Sequence, residues 1–272
     1  MKRIFLFLIV LFCESGLVCS QNKTEAVEMQ PKVLAIFPSS DTLPANLLRV
    51  YIHFSKPMKP FGNLEKIQLV DARGIEIEGA IFNNVHELWN HEQTQLTLLF
   101  DPSRVKTGLR SHELRGRALE SGNSYALAIG KLEDVGGRVS APFRKNFVVT
   151  SSDTGPPNKN LWKIQPPKAD SRDPLIIKFP QMLDHLSVLQ RLKLTDMNSE
   201  PVAGQVHLVS KETEWQFYPK DTWQARQYLL YVHYRLEDPS GNNLNGLFDH
   251  SPGTLKYERE GVIETITIKL TK

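Results

Sequence analysis

Val50-Tyr51-Ile52-His53-Phe54 recurs later in the chain as Leu175-Ile176-Ile177-Lys178-Phe179. Two further segments recur in the same order: Ile67-Gln68-Leu69-Val70-Asp71 returns as Leu192-Lys193-Leu194-Thr195-Asp196, and Gly79-Ala80-Ile81 returns as Gly204-Gln205-Val206. The first segment alternates its side chains about a strand: Val50, Ile52 and Phe54 point one way, and Tyr51 and His53 point the other. The 272-residue chain is therefore predicted to contain two copies of one β-rich unit.

Short alternating runs bounded by Asp, Gly, Pro and Asn continue through both copies, which is the pattern of half-buried strands joined by turns. Strands are predicted in the first copy near 50–54, 66–70, 75–82, 95–100, 124–132 and 143–149. In the second copy they are predicted near 174–179, 190–195, 202–209, 213–218, 227–235 and 261–270. About seven short strands per copy favour an all-β fold of two tandem antiparallel β-sandwiches.

The copies divide the chain into two predicted domains, 31–150 and 161–272. Residues 151–160, SSDTGPPNKN, lack periodicity and contain adjacent prolines, so they are predicted to form a short, stiff linker. Residues 21–30, QNKTEAVEMQ, are polar and are predicted to form a flexible tether ahead of the first domain.

The first 20 residues have the pattern of a secretory signal peptide. Lys2 and Arg3 precede the apolar run 4–12, which is much shorter than the roughly 20 residues of a membrane-spanning helix. We therefore expect an exported protein, in the periplasm, on the cell surface or outside the cell, whose mature chain has no transmembrane segment. Cys19 raises lipid anchoring as an alternative, but Val18 and Gly16 do not fit the usual lipoprotein pattern.

Both cysteines, Cys13 and Cys19, lie within this predicted leader, so the mature chain is expected to fold without a disulfide. Each sandwich must then bury enough apolar surface to stand on its own, and Trp162, Trp215 and Trp223 are accordingly predicted to be core residues. The chain carries 33 basic and 30 acidic residues. This balance gives no indication of nucleic-acid binding.

Several of these segments resemble SbsA-type bacterial Ig-like domains. The resemblance rests on Pro38-Ser39-Ser40-Asp41-Thr42-Leu43-Pro44-Ala45-Asn46, on Ile52-His53-Phe54-Ser55-Lys56-Pro57-Met58, and on Tyr228 with Leu236-Glu237-Asp238-Pro239-Ser240-Gly241-Asn242. It covers residues 31–272 as two copies, within what looks like an uncharacterised two-domain family of exported proteins. The second copy departs from the family pattern at Pro180-Gln181-Met182-Leu183, and the first departs at Gly137-Arg138.

The resemblance implies two tandem Ig-like β-sandwiches acting as non-catalytic spacers or binding units of a bacterial envelope. It implies no known activity. Fold analogy alone does not identify a ligand, because Ig-like folds carry many unrelated functions.

Two patterns resemble sites of chemistry, and each favours a structural interpretation. His86-Glu87-Leu88-Trp89-Asn90-His91 places its histidines five residues apart, whereas a zinc protease helix needs them four apart on one face. The pairs Glu133-Asp134 and Glu237-Asp238 supply too few oxygens for Ca²⁺ and fit turns instead. The mature chain also lacks a Gly-x-Ser-x-Gly elbow, a cysteine nucleophile and a Gly-rich phosphate loop. We therefore expect no enzyme activity, no cofactor and no metal.

The main difference between the copies is a basic insertion at 101–124 in the first. It contains Arg104, Lys106, Arg110, His112, Arg115 and Arg117. Arginine clusters on loops suit carboxylate, sulfate and phosphate groups, so these six residues are the candidate contacts for a ligand or partner. The alternative is a solvated loop that packs against the second domain or covers a sheet edge.

These patterns together predict a non-catalytic exported Ig-like protein with a structural or adhesive role at the bacterial cell envelope or surface. An envelope protein or an anionic polysaccharide is the expected partner. One alternative is a binding protein for an acidic glycan or peptide that uses the basic insertion. A secreted hydrolase with an unrecognised site is a further alternative, and it would require convergent carboxylates or histidines in a pocket.

Overall fold

The computed structural model describes residues 30–83, 86–107, 109–250 and 261–271. The predicted signal peptide, Cys19 and all of the predicted tether except Gln30 lie outside these residues. Pro31–Lys272 form one compact unit. Within the part of the chain that is described, no helix is both long and apolar enough to cross a membrane.

The first copy forms two four-stranded sheets. Its strands are β1 (Val33–Phe37), β2 (Thr42–Pro44), β3 (Arg49–Phe54), β4 (Ile67–Asp71), β5 (Leu88–Trp89), β6 (Gln95–Leu99), β7 (Ser124–Ile129) and β8 (Phe143–Thr150). One sheet has the order β1-β3-β6-β5 and the other β2-β8-β7-β4. All of these pairs are antiparallel except β2 with β8.

The second copy repeats this arrangement with β9 (Lys163–Gln165), β10 (Leu175–Lys178), β11 (Leu192–Asp196), β12 (Gly204–Val209), β13 (Glu214–Pro219), β14 (Gln227–His233) and β15 (Ile263–Lys269). Its sheets have the orders β12-β13-β10-β9 and β11-β14-β15. Short helices lie at Pro102–Val105, Arg110–Arg115 and His185–Arg191. The predicted fold class, all-β with tandem Ig-like sandwiches, is confirmed, whereas the domain boundaries stay a prediction.

Each pair of sheets encloses its own hydrophobic core. Val50, Ile52 and Phe54 of β3 all belong to the first core, as their alternation predicted. Trp162, Trp215 and Trp223 belong to the second core. Burying a large apolar side chain contributes about 1.5 to 3 kcal/mol, so two separate cores of this kind are consistent with folding without disulfides.

The repeat extends to individual hydrogen bonds. The Phe54 backbone N–H donates to the carbonyl of Thr94, and the Phe179 N–H donates to that of Thr213. The hydroxyl of Tyr125 accepts from a backbone N–H five residues upstream, and that of Tyr228 accepts from one four residues upstream, each at 3.1 Å. This contact resembles the tyrosine corner of Ig-type sandwiches. These shared residues therefore serve the fold.

Two predicted strands are wrong in detail. Residues 75–82 form only isolated bridges at Glu76 and Ile81, because Gly79 has a φ of +64° that turns the chain between them. The predicted strand 190–195 is helical at its start, since the helix His185–Arg191 runs directly into β11. The Asp184 side chain caps that helix by accepting the Ser187 N–H at 2.8 Å.

The acidic pairs form turns through their aspartates. Asp134 accepts the backbone N–H groups of Gly136 and Arg138 at 2.9 and 2.8 Å. Asp238 accepts those of Ser240 and Asn242 at 2.9 and 3.0 Å. The same spacing in both copies supports the interpretation that these carboxylates organise the turn.

Candidate functional site

The basic insertion is held in place by two short helices. Pro102 opens the first helix, and the Asp101 carboxylate caps it by accepting the Ser103 N–H at 2.9 Å. The second helix, Arg110–Arg115, ends at Gly116, whose φ is +67°. The insertion thus has a defined conformation of its own.

Arg104 lies beneath this segment, with only 6% of its surface exposed. Its guanidinium donates to the carbonyl oxygens of Glu78, Gly116 and Arg117, each at 3.0 Å. The His112 ring is also used internally, because Nδ1 lies 2.9 Å from the Arg104 carbonyl oxygen. Arg104 and His112 therefore hold the insertion together.

Lys106 and its neighbour contact the second copy. The Lys106 ammonium lies 4.4 Å from the centre of the Phe248 ring, a cation–π contact. Thr107 donates from its backbone N–H and its hydroxyl to the Asp249 carboxylate at 3.1 and 2.7 Å. Arg110 is exposed. This end of the insertion therefore packs against the second sandwich.

Arg115 and Arg117 line a groove that we call the basic groove. Its volume is about 570 Å³, and it lies between the insertion, the turn after β4 and the start of β7. The charged residues on its walls are Asp71, Arg73, Arg104, Arg115, Arg117 and Glu120. The groove is thus lined by four arginines and two acidic residues, and it is positively charged.

Part of this positive charge has no acidic partner within the described residues. Arg73 pairs with Asp71 at 3.0 Å, but no carboxylate of the described chain lies within ion-pair distance of Arg104, Arg115 or Arg117. Nη1 of Arg117 is buried and has no hydrogen-bond partner there. A ligand role for the six predicted residues stays a prediction, and the structure brings Arg104, Arg115 and Arg117 of that set to one groove.

A second cluster was missed by the sequence analysis, and we call it the junction because it joins the two sandwiches. Its members are Arg49, Tyr51 and His53 from the outward face of β3, together with Asp184, His185 and Glu237 from the second copy. The Tyr51 hydroxyl donates to the Asp184 carboxylate, with both oxygens at 2.9 Å. Arg49 forms an ion pair with Glu237 at 2.8 Å.

Much of the junction is buried, and burial shifts the pKa values of its titratable side chains. Asp184 is 1% exposed, and burial raises the pKa of its carboxyl group. Burial also raises the pKa of Glu237, although the charge of Arg49 opposes that shift. The pKa of His185 falls to about 4, because burial and then the charge of His53 disfavour the imidazolium. Its neutral ring stacks on Phe37 with 3.5 Å between ring centres.

The turn that begins at Asp238 extends the junction. The Leu48 backbone N–H donates to the Pro239 carbonyl at 2.9 Å, and the Ser240 hydroxyl donates to the Asn46 side chain at 3.0 Å. The Asn242 side chain donates to the Asp153 carbonyl in the predicted linker at 3.1 Å. The turn that resembled a family motif therefore also binds the first sandwich and the linker.

A comparison of the two copies could have found the junction. β3 carries Arg49, Tyr51 and His53 on its outward face. The matching positions of the second copy are Pro174, just before β10, and Ile176 and Lys178 within it. Asp184 likewise stands where Lys59 stands in the first copy, since each donates its backbone N–H to the backbone carbonyl of the glutamate that precedes the corresponding turn. A polar and aromatic outward stripe in only one copy indicates a partner surface.

We expect Gly241→Ala to destabilise the protein by about 1 kcal/mol more than Gly137→Ala does. Both glycines occupy the same turn with φ near +80°, so alanine costs about 1 to 2 kcal/mol at either position. At Gly241 the added Cβ would also lie 2.6 Å from Leu48 across the junction, whereas at Gly137 the nearest atom lies at 3.7 Å. Urea unfolding of the two variants measures the difference, and equal losses would contradict this packing.

The glutamate of the histidine motif makes structural hydrogen bonds. Glu87 accepts the backbone N–H groups of Asn63 and Leu64 through one oxygen at 2.7 and 2.9 Å. Its other oxygen accepts from the Trp89 indole at 2.9 Å. Among the residues the structure describes, no group of three or more His, Cys, Asp or Glu is placed to hold a metal ion.

No protein-family model matches the chain, and no curated protein matches it. Several solved structures are similar to it. The crystal structure of CopC from Methylosinus trichosporium OB3b is 16% identical with a TM-score of 0.31, and the match covers 46% of this chain and 97% of CopC. Domains 1–6 of the surface layer protein SbsC are 10% identical with a TM-score of 0.34, over 78% of this chain and 24% of SbsC.

A third similar structure is native alpha-2-macroglobulin from Escherichia coli spanning domains MG0-NIE-MG1. It is 11% identical with a TM-score of 0.29, and the match covers 91% of this chain and 73% of that structure. At these identities the likeness concerns the fold alone. The chain spans about a quarter of the SbsC structure.

Proposed function

We propose that this protein is an exported, non-catalytic module that has a structural or adhesive role at the bacterial cell envelope or surface. The observation that carries the proposal is the junction, which fixes two sandwiches to each other through buried polar contacts. A rigid pair of β-sandwiches has a fixed length and direction, and these are the properties that a spacer or adhesive stalk needs.

The linker supports this role because it is bound near its start. Asp153 donates its backbone N–H to the Asn46 side chain at 2.8 Å, and its carbonyl accepts from Asn46 at 2.8 Å and from Asn242 at 3.1 Å. Domains within one chain usually move relative to each other unless their interface is extensive. A linker bound to both sandwiches restricts that movement.

Distance measurements between spin labels test this proposal. Labels would be placed on Lys131→Cys and Lys220→Cys, one exposed position in each copy, in the chain that begins after the predicted leader. We expect a single narrow distance distribution. The natural cysteines at 13 and 19 precede this chain, so only the two labels report.

The variant Tyr51→Ala is the matched test of the junction, because it removes the hydroxyl that binds Asp184. We expect its distance distribution to broaden. Tyr218→Ala is the control, since that exposed tyrosine contacts Gln216 within its own sheet. A broad distribution in the unmodified protein would overturn the proposed rigid module.

A further inference from the structure

We infer that the basic groove binds an anionic saccharide unit, through a carboxylate or sulfate group on the sugar. The groove lies on the first sandwich, and binding there does not depend on the junction. The ligand contacts are Arg115, Arg117 and Arg73. Arg104 supports them from beneath.

The size of the groove fits one or two sugar rings. Its volume of about 570 Å³ lies within the roughly 300 to 1,000 Å³ of small-ligand sites. Asn123 and Ser124 also line the groove. Amide and hydroxyl side chains can bond to sugar hydroxyls.

The charge in the groove requires an anion. Arg115 and Arg117 have no carboxylate within ion-pair distance in the described chain, and Nη1 of Arg117 is buried without a partner there. A buried donor that lacks an acceptor costs about 1 to 3 kcal/mol, so the protein itself leaves the Arg117 guanidinium incompletely satisfied. Guanidinium groups also bind carboxylate and sulfate through two parallel hydrogen bonds.

Arg104 fixes the backbone from which these side chains extend. It donates to the Arg117 carbonyl at 3.0 Å and to the Arg115 carbonyl at 3.4 Å. The Arg115 guanidinium in turn lies against the backbone of Gly79, where a Cβ would be only 3.2 Å away. Two positioned guanidinium groups lose less entropy on binding than two mobile ones would.

The backbone beside the groove favours a saccharide over an extended peptide. Peptides often bind by adding a strand to a sheet edge, and β4 is an edge strand here. At the groove, however, the backbone of β4 is already bonded, because Asp71 donates to Ile75 and Ile77 donates to Leu69. Recognition must then come from side chains, which suits a sugar that carries an oxyanion.

Binding of defined polymers to the exported chain tests the inference. The probes are polygalacturonate for carboxylated sugars, dextran sulfate for sulfated sugars, neutral dextran, and poly-glutamate for an acidic peptide. We expect one of the two anionic polysaccharides to bind and neutral dextran not to bind. The double variant Arg115→Ser/Arg117→Ser should weaken that binding about tenfold or more, because it removes two charge-assisted contacts.

The matched control is Arg144→Ser/Arg172→Ser, which removes the same charge from exposed positions away from the groove. It should change the affinity less than about twofold once salt screens general attraction. If the double variant does not fold, Arg73→Ser at the exposed rim tests the same groove and should weaken binding two- to threefold, about the size of one exposed ionic contact.

Three results would overturn the inference. The first is that neither polysaccharide binds, and the second is that poly-glutamate binds more tightly than both of them. The third is that the control variant loses as much affinity as the groove variant. The first two exclude an anionic sugar as the ligand, and the third shows that the attraction is not specific to the groove. None of these results bears on the rigidity of the two sandwiches, which the spin-label distances measure separately.

Discussion

Asp184→Ala should lower the free energy of unfolding by about 3 kcal/mol, because one carboxylate serves two structures at the junction. The Tyr51 hydroxyl donates to it, and so does the Ser187 N–H at the start of a helix. Loss of a helix cap costs about 1 kcal/mol, and a buried hydroxyl left without a partner costs about 1 to 3 kcal/mol. Urea unfolding at neutral pH measures the sum.

The charge of Arg49 adds to this loss. Arg49 is held close to both Glu237 and Asp184, so removal of one carboxylate leaves a partly buried cation with a single acidic partner. Breaking a buried charge pair in this way is strongly destabilising. The desolvation that raises the pKa of Asp184 works in the opposite direction, since a buried carboxylate is itself costly. We therefore place the expected loss at the lower end of the range for buried pairs.

Two variants separate these contributions. Asp184→Asn keeps an oxygen for the helix cap and for Tyr51, so it should cost less than Asp184→Ala. Lys59→Ala changes the matching position of the first copy, where Lys59 forms a partly exposed ion pair with Glu133, and should cost no more than about 1 kcal/mol. If Asp184→Ala costs as little as Lys59→Ala does, Asp184 does not hold the junction.

The sandwiches could be predicted from sequence because the features that build them are local and repeated. Alternation in β3 identified its inward side chains Val50, Ile52 and Phe54, and the registers of β3 and β10 agree with the repeat. The predicted strand 75–82 was wrong because alternation alone cannot show that Gly79 turns the chain. A strand needs a partner over its whole length, and this segment meets its neighbours only at single residues.

The junction could not be predicted from either copy alone, since it depends on how two distant segments meet. Asp184 follows an apolar residue and precedes a helix, so its local sequence suggests no more than a cap. Tyr51 and His53 were placed on the outward face of β3, and the structure shows that this face is covered in part by the second sandwich. Comparison of the two copies indicated the basic insertion, because there the first copy is longer than the second. At the junction the two copies have the same length and differ only in residue type.

The unfolding free energy should also fall by about 1 to 2 kcal/mol between pH 6.5 and pH 8, and Asp238 should be the main cause. Burial, and then the charge of Asp153, raise the pKa of Asp238 to about 8, although hydrogen bonds from Asn242 and Ser240 oppose this shift. The folded protein therefore keeps a proton that the unfolded chain releases near pH 4. Each pH unit within that window costs at most about 1.4 kcal/mol for one proton.

Other groups of the junction set the limits of this window. Burial raises the pKa of Asp184 and Glu237, and also that of Glu212, whose carboxylate accepts the Ser39 N–H from the first copy at 2.8 Å. The folded protein therefore also loses stability as these carboxyls ionise with rising pH. The histidines act in the opposite direction, because burial lowers the pKa of His53 and His185. Their neutral forms favour the folded state above about pH 6.5, and that contribution is lost as the pH falls. Above about pH 6.5 the histidines therefore no longer change the stability, and the carboxyls with raised pKa values lower it as the pH rises.

Asp238→Asn should flatten the pH dependence between 6.5 and 8, because its amide does not titrate. Asp134→Asn is the matched control, since Asp134 occupies the same turn in the first copy. There burial alone would raise the pKa, but hydrogen bonds from Arg138 outweigh it and the pKa is lowered, so this carboxylate is charged throughout the window. Urea unfolding at half-unit steps of pH gives the three slopes. The same slope in Asp238→Asn as in the unmodified protein would show that the proton at the junction is held elsewhere.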